Sequence, residues 1–304
     1  MAENAAIAGP GDLIRVALKA IPLNSRGRRR IDLAVISHID HDHIGGAARL
    51  FADTSLKLEF GDNWFNAPSR PLARGVLEGV GLEAVLGTAA RGLPWNLAFE
   101  GRNDVTRPDL FVKLARKRGE PQITLVSPTP DSLVNLYRVC EKTLPNIKTP
   151  SEPEPIDMPS TRGALDIDAV AGPPTPEDGA PANGSSIALL LQHGGAPALL
   201  TADAFPSVLQ HALAALATSR RQQLPWTLDF INFSHHGSRK NTTNSLLETV
   251  SARHFLVSTN RATFGHPNQE AIARMIASGN PGGQVSFNFR TPRTVIWASK
   301  QLRA

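Results

Sequence analysis

At 304 residues with 41% hydrophobic content, the chain has the composition of an ordinary soluble protein and can bury a substantial core. A net charge of +5, from 32 basic and 27 acidic side chains, permits contact with a polyanion without demanding it. No apolar run approaches the ~18–20 residues of a membrane span, the first ten residues lack a basic start followed by an apolar core, and the single cysteine, Cys140, excludes an internal disulfide framework. A cytoplasmic protein without a membrane partner is the expectation.

The first predicted element is a short helix from Asp12 to Ala20, followed by a basic loop, Arg26 to Arg30, whose ordinary explanation is solvation. Ile31, Leu33, Ala34, Val35 and Ile36 then read as a strand buried on both faces, and Ile44, Ala47, Ala48 and Phe51 recur at helical spacing. The strand-to-helix turn between them carries Ser37-His38-Ile39-Asp40-His41-Asp42-His43-Ile44-Gly45-Gly46. A single histidine here would be a solvated loop residue or a cap. Several imidazoles and carboxylates converging on one turn repel or stay unpaired unless a cation joins them, so the cluster predicts a metal site.

The stretch from His38 to His43 resembles the first motif of the metallo-β-lactamase superfamily, His-x-His-x-Asp-His, with Asp40 in place of the second histidine. That replacement resembles the subgroup holding the ComEC-type competence hydrolase domain and its stand-alone relatives. In that family a strand hairpin precedes the first helix. Residues 1 to 11 hold no counterpart, so the expectation is a truncated chain, a start assigned late or a partner that completes the sheet, with an incomplete edge open to that partner or to self-association.

Further along, Leu56 to Phe60 reads as a strand leading into a loop, Gly61 to Asn66, whose Trp64, Phe65 and Asn66 would border a site or pack against the next helix. Residues 72 to 90 suggest a broken helix, 110 to 114 and 122 to 126 strands, and 132 to 142 an amphipathic helix. Residues 145 to 181 hold nine of the 24 prolines and few apolar anchors, which predicts an insertion or loop, partly ordered and near the site mouth.

The remaining motifs follow in the family's order. Asn183-Gly184-Ser185-Ser186 opens a strand, and Leu199-Leu200-Thr201-Ala202-Asp203 ends another, resembling the family's Leu-Leu-Thr-Gly-Asp with Ala202 for glycine. By that resemblance Asp203 bridges two ions; taken alone it would be a helix cap. The strand Asp229 to Phe233 delivers His235-His236-Gly237-Ser238, similar to the subgroup's His-His-Gly-Ser, with His235 favoured as ligand and His236 beside the reacting group, since strand alternation would point them apart. Asn241 to Asn244 opens a short helix, the strand His254 to Ser258 follows, and the loop from Asn260 ends in Gly265-His266-Pro267, where the resemblance makes His266 a proton donor or substrate ligand. A helix over 272 to 276 and strands over 285 to 289 and 294 to 297 complete the predicted elements. His193, His211 and His254 match no motif.

The expectation is one α/β domain, a metallo-β-lactamase-type four-layer αββα sandwich, spanning 1–304. Its metal ligands would be His38, Asp40, Asp42, His43, Asp203 and His235, its catalytic groups Asp42, His236 and His266, and its substrate contacts Asn183, Ser238, Arg239 and Asn260. Two divalent ions, Zn2+ or Mn2+, would activate a water, and the oxygen-rich donors raise the case for manganese. The resemblance implies a phosphodiester substrate, in nucleic acid or a nucleotide. The alternatives are a carboxylic ester or lactone hydrolase, and a non-catalytic metal-binding module completed by a partner.

Overall fold

Strands and helices alternate through most of the chain, which is of the mixed α/β class. The structure, a computed structural model, describes residues 10–66, 92–101, 105–106, 119–142, 166–259, 265–278 and 283–288. The expected elements over 72–90, 110–114 and 294–297 and the site residue Asn260 lie outside the described residues. Contacts divide the chain into two compact units, Met1–Asp104 and Val105–Ala304.

In the first unit a helix, Pro10–Ala20, precedes strand β1, Arg29–Val35, which pairs in parallel with β2, Leu58–Trp64, in the register Ile31 to Phe60 and Val35 to Trp64. Two short helices, His41–Ile44 and Ala47–Ala52, and a 3-10 turn, Thr54–Leu56, make the crossover. β1 is not buried on both faces as its apolar run predicts. Arg30 and Asp32 alternate outward and pair at 2.9 Å, and the inward residues are only half-buried in a sheet that has two strands among the described residues.

Residues 61–64 of the loop predicted over 61–66 are in fact the end of β2, and Phe65 and Asn66 follow it. Asp62 braces it, accepting from Trp64 Nε1 at 2.8 Å and from the backbone of Leu97 and Ala98 at 3.0 and 3.1 Å. Trp64 meets Phe99 edge-on at 5.1 Å, and Trp64, Phe65 and Asn66 are all buried, so packing accounts for them. The basic loop is largely committed internally: Arg26 and Arg30 both pair with Glu59, and Arg29 donates to the carbonyls of Lys19 and Leu56.

Among the described residues, the second unit is built on a sheet of six strands in the order β3-β4-β5-β6-β7-β8. β3 (Gln122–Ser127), β4 (Ala188–His193) and β5 (Ala196–Leu200) are antiparallel neighbours, and β5 continues in parallel with β6 (Trp226–Asn232), β7 (Val250–Val257) and β8 (Gln284–Phe287). Each parallel step is crossed by a helix: Pro206–Arg220, Asn244–Thr249 and Gln269–Ala277. Leu209, Ala212, Leu213 and Leu216 of the first of these are buried in one core with Leu199, Leu228, Ile231 and Phe255 of the sheet. No helix among the described residues is long and apolar enough to cross a membrane.

The described end of the proline-rich stretch, residues 166–181, contains a helix, Ile167–Ala171, and is firmly anchored. Arg274, 2% exposed, donates to the carbonyls of Ala171, Pro173, Arg239 and Thr242 and to Thr175 Oγ1, at 2.6 to 3.3 Å. Glu177 accepts from the backbone of Ser207 at 2.7 Å. Sparse apolar content suggested few anchors. Polar contacts supply them instead.

Candidate metal-binding clusters

In the first unit, β1 ends just before the histidine-rich turn. A Cβ on Gly45 would strike the carbonyl oxygen of His41, and Gly46 has φ 87°, so this tight helix-to-helix step favours glycine at both positions. His38 is fully buried, and its ring lies 4.2 Å from that of His43. Ser37 Oγ stands 3.1 Å from His38 Nδ1 and 3.2 Å from His43 Nδ1. A hydroxyl oxygen has two lone pairs, so with both Nδ1 atoms protonated it accepts from both rings, leaving a lone pair on each Nε2.

Those Nε2 atoms face carboxylates: His38 Nε2 is 3.6 Å from Asp40 Oδ2, and His43 Nε2 is 3.7 Å from Asp42 Oδ2. These gaps exceed a direct hydrogen bond. Two ligands at ~2.0–2.1 Å from one tetrahedral ion stand about 3.4 Å apart, so small adjustments fit each pair to a shared cation. Asp40 and Asp42 keep nearly half of their side-chain surface exposed, whereas His41 heads a helix and is exposed.

The second unit assembles its cluster at the carboxyl ends of adjacent parallel strands, where ligand sites in open α/β sheets form. Asp203 follows β5, and the two histidines follow β6. They do not alternate along a strand, as the sequence suggested. His235 and His236 lie in a 3-10 turn with φ 49° and 56°, and Gly237 follows at φ 81°; a Cβ there would come within 2.8 Å of Pro267. Three successive left-handed residues are strained and hold only because the surroundings fix them. His235 N donates to Ala202 O at 3.0 Å, and Ala202, which stands where the resembling motif has glycine, has φ 47°.

Asp203 is nearly buried. Its backbone N donates to Ser186 Oγ at 3.2 Å, and its carbonyl accepts from Asn241 Nδ2 at 3.2 Å. His235 Nε2 is 3.8 Å from Asp203 Oδ2, again a separation that a shared ion would suit. On the other side of the ring, Nδ1 is 3.1 Å from Asn241 Oδ1 and 3.3 Å from Asp178 Oδ2. Burial opposes protonation of this imidazole, but the bond to Asp178 and the charges of Asp203 and Asp178 push its pKa up to about 9. Binding a cation there must therefore displace a proton.

Burial likewise opposes ionisation of Asp178, yet hydrogen bonds from His235, the Ala180 backbone, Asn183 and Asn241 hold its carboxyl well below the usual carboxylate range. The sequence reading missed Asp178. It sits at the end of the proline-rich stretch, five residues before Asn183, and no motif marks it.

The other expected residues divide. His266 is buried with its ring 5.1 Å from that of His235. His236 Nδ1 is 2.5 Å from Ser258 O, which directs Nε2 elsewhere. Asn183 is buried, with Nδ2 donating to Asp178 at 2.7 Å and Oδ1 making no hydrogen bond. The amide cannot be reversed, since its oxygen would then stand 2.7 Å from a carboxylate oxygen. Ser238 Oγ accepts from Lys240 N, and the Arg239 guanidinium pairs with Glu270 at 2.9 Å. His193, His211 and His254 are exposed. No protein-family model matches the chain, and no curated protein matches it.

Proposed function

We propose that the chain is a metal-dependent hydrolase of the metallo-β-lactamase type, a four-layer αββα sandwich working with divalent ions. The observation that carries the reading is the Asp203–His235 pair, a nearly buried carboxylate and an imidazole Nε2 3.8 Å apart at the ends of neighbouring parallel strands. The second support is the order of motifs along the sequence, from His38 through Asp203 and His235 to His266. In this reading His38, Asp40, Asp42 and His43 would offer ligands from the turn after β1, and Asp203 and His235 would offer ligands from the turns after β5 and β6. When bound, such ions make water acidic enough to lose a proton near neutral pH and offset negative charge developing on the substrate.

The protein groups do the rest. Ser37 orients the two imidazoles of the first cluster, and His236 and His266 are the groups proposed to pass a proton to a leaving group. Asn183 directs Nδ2 at Asp178 and His235, so the role proposed for it is that of an acceptor, through Oδ1, toward an ion or a substrate hydroxyl. A phosphodiester is the leading substrate. A carboxylic ester or lactone remains the second reading because the cations expected to meet a phosphate are engaged elsewhere: Arg239 by Glu270, and Arg26 and Arg30 by Glu59.

Metal analysis of the purified chain, followed by assays with Zn2+ or Mn2+ on a chromogenic phosphodiester and on a lactone, tests the proposal. Expected are close to two ions per chain and metal-dependent turnover of the phosphodiester. Turnover of the lactone alone transfers the reading to the second substrate class. A folded chain that binds metal and turns over neither is a non-catalytic module.

A further inference from the structure

We propose that Asp178 is a positioning residue that aims His235 and Asn183 at the ion, so that the end of the proline-rich stretch is a working part of the site. This deepens the metal reading above and rests on it. The side chain of Asp178 is 8% exposed and is met entirely by donors. Oδ1 accepts from Ala180 N at 3.0 Å, and Oδ2 accepts from Asn183 Nδ2 at 2.7 Å and Asn241 Nδ2 at 3.1 Å, with His235 Nδ1 at 3.3 Å. An ionised carboxylate offers about four acceptor sites and no proton, and no other side chain of this size satisfies four donors at once.

Each of these bonds has a consequence at the site. The Nδ1 proton of His235 is shared between Asp178 and Asn241 Oδ1, which leaves Nε2 as the nitrogen facing Asp203. Asn241 is held in that orientation because both of its amide protons are used, one on Asp178 and one on the carbonyl of Asp203. Asn183, held through Nδ2, turns Oδ1 away from Asp178. One carboxylate thus orients an imidazole and two amides, the arrangement by which outer groups set the direction and basicity of a ligating histidine. Asp178 can do this because its segment is fixed by Arg274 on Ala171, Pro173 and Thr175 and by Glu177 on Ser207.

A merely structural Asp178, closing the turn to Ala180, predicts lost stability without a change in metal affinity. The full chain, freed of metal, is titrated calorimetrically with Zn2+ and separately with Mn2+, and its thermal transition is followed by circular dichroism. Asp178→Asn places an N–H among four donors. It is expected to stay folded and to bind metal about 10- to 100-fold more weakly, with Asp178→Glu losing less. Wild-type affinity in folded Asp178→Asn overturns the positioning role and leaves the metal reading intact, whereas a wild-type chain that binds neither ion overturns both. If Asp178→Asn loses its thermal transition, nitrogen-15 NMR of the Zn2+-loaded wild type decides. A ligating Nε2 with a protonated Nδ1 on His235 supports the role, and coordination through Nδ1 overturns it.

Discussion

The two clusters reach similar donor spacings by different means. In the first, His38, Asp40, Asp42 and His43 fall within six positions of one turn, and both carboxylates remain nearly half exposed. In the second, Asp178, Asn183, Asp203, His235, Asn241 and His266 come from loops spread over almost ninety residues, and the Asp178 and Asp203 side chains are 8% and 4% exposed. Exposed carboxylates like those of the first cluster are hydrated without metal, so changing one of their charges costs little. A buried cluster depends on complete pairing, since an uncompensated charge out of water costs several kcal/mol.

The contrast is tested first where the expected effect is largest. Asp203→Asn keeps the shape of the side chain and removes its charge, so two cations nearby would repel without compensation. The variant is expected to fold, to lose at least one metal equivalent, and to lose activity on the order of 100-fold or more. Full metal content and turnover in folded protein would remove Asp203 from the centre. Arg274→Met comes next: it strips donors from four carbonyls and Thr175, for a loss of about 3–5 kcal/mol in denaturant unfolding. Protease should then cut near 171–178 earlier than in the wild type, and unchanged cleavage would mean that Arg274 does not anchor that segment.

Ser37→Ala probes the exposed cluster. It removes the hydroxyl between the two Nδ1 atoms, and about 10-fold weaker metal binding with stability changed by less than ~1 kcal/mol is expected. A larger stability loss would show that the first cluster is as dependent on pairing as the second. The smallest effect is that of His193→Ala, on an exposed residue outside both clusters. Metal content, turnover and unfolding should all match the wild type, within about 0.5 kcal/mol for the last.

Much of this was legible because it depends on local spacing. The histidine-rich turn declared itself through the density of imidazole and carboxylate between His38 and His43, and every expected strand and helix that falls wholly within the described residues is present near its expected place. The errors have local causes too. The apolar run of β1 suggested burial on both faces, but among the described residues Arg30 and Asp32 turn one face outward. The polar letters of Gly61-Asp62-Asn63 suggested a loop, but Asp62 and Asn63 satisfy the polar demands of a strand end through Trp64, Leu97, Ala98 and Pro94.

What the sequence determined by itself was therefore the inventory of donors: which exist, that a cluster of them falls at a strand end, and in what order the others come along the chain. Tertiary structure decided which atom of each donor is available. Strand alternation has no bearing on His235 and His236 once the chain turns left-handed after β6, and only the positions of Ser258, Asn241 and Asp178 select the nitrogen that each ring presents. Asp178 itself, lying in a proline-rich stretch without motif or periodicity, became visible only when β5 and β6 brought Asp203 and His235 together and left four donors around one carboxylate. Sequence spacing encodes neighbours within a turn or a strand, whereas hydrogen-bond direction is set by groups that only the folded sheet brings within about 3 Å.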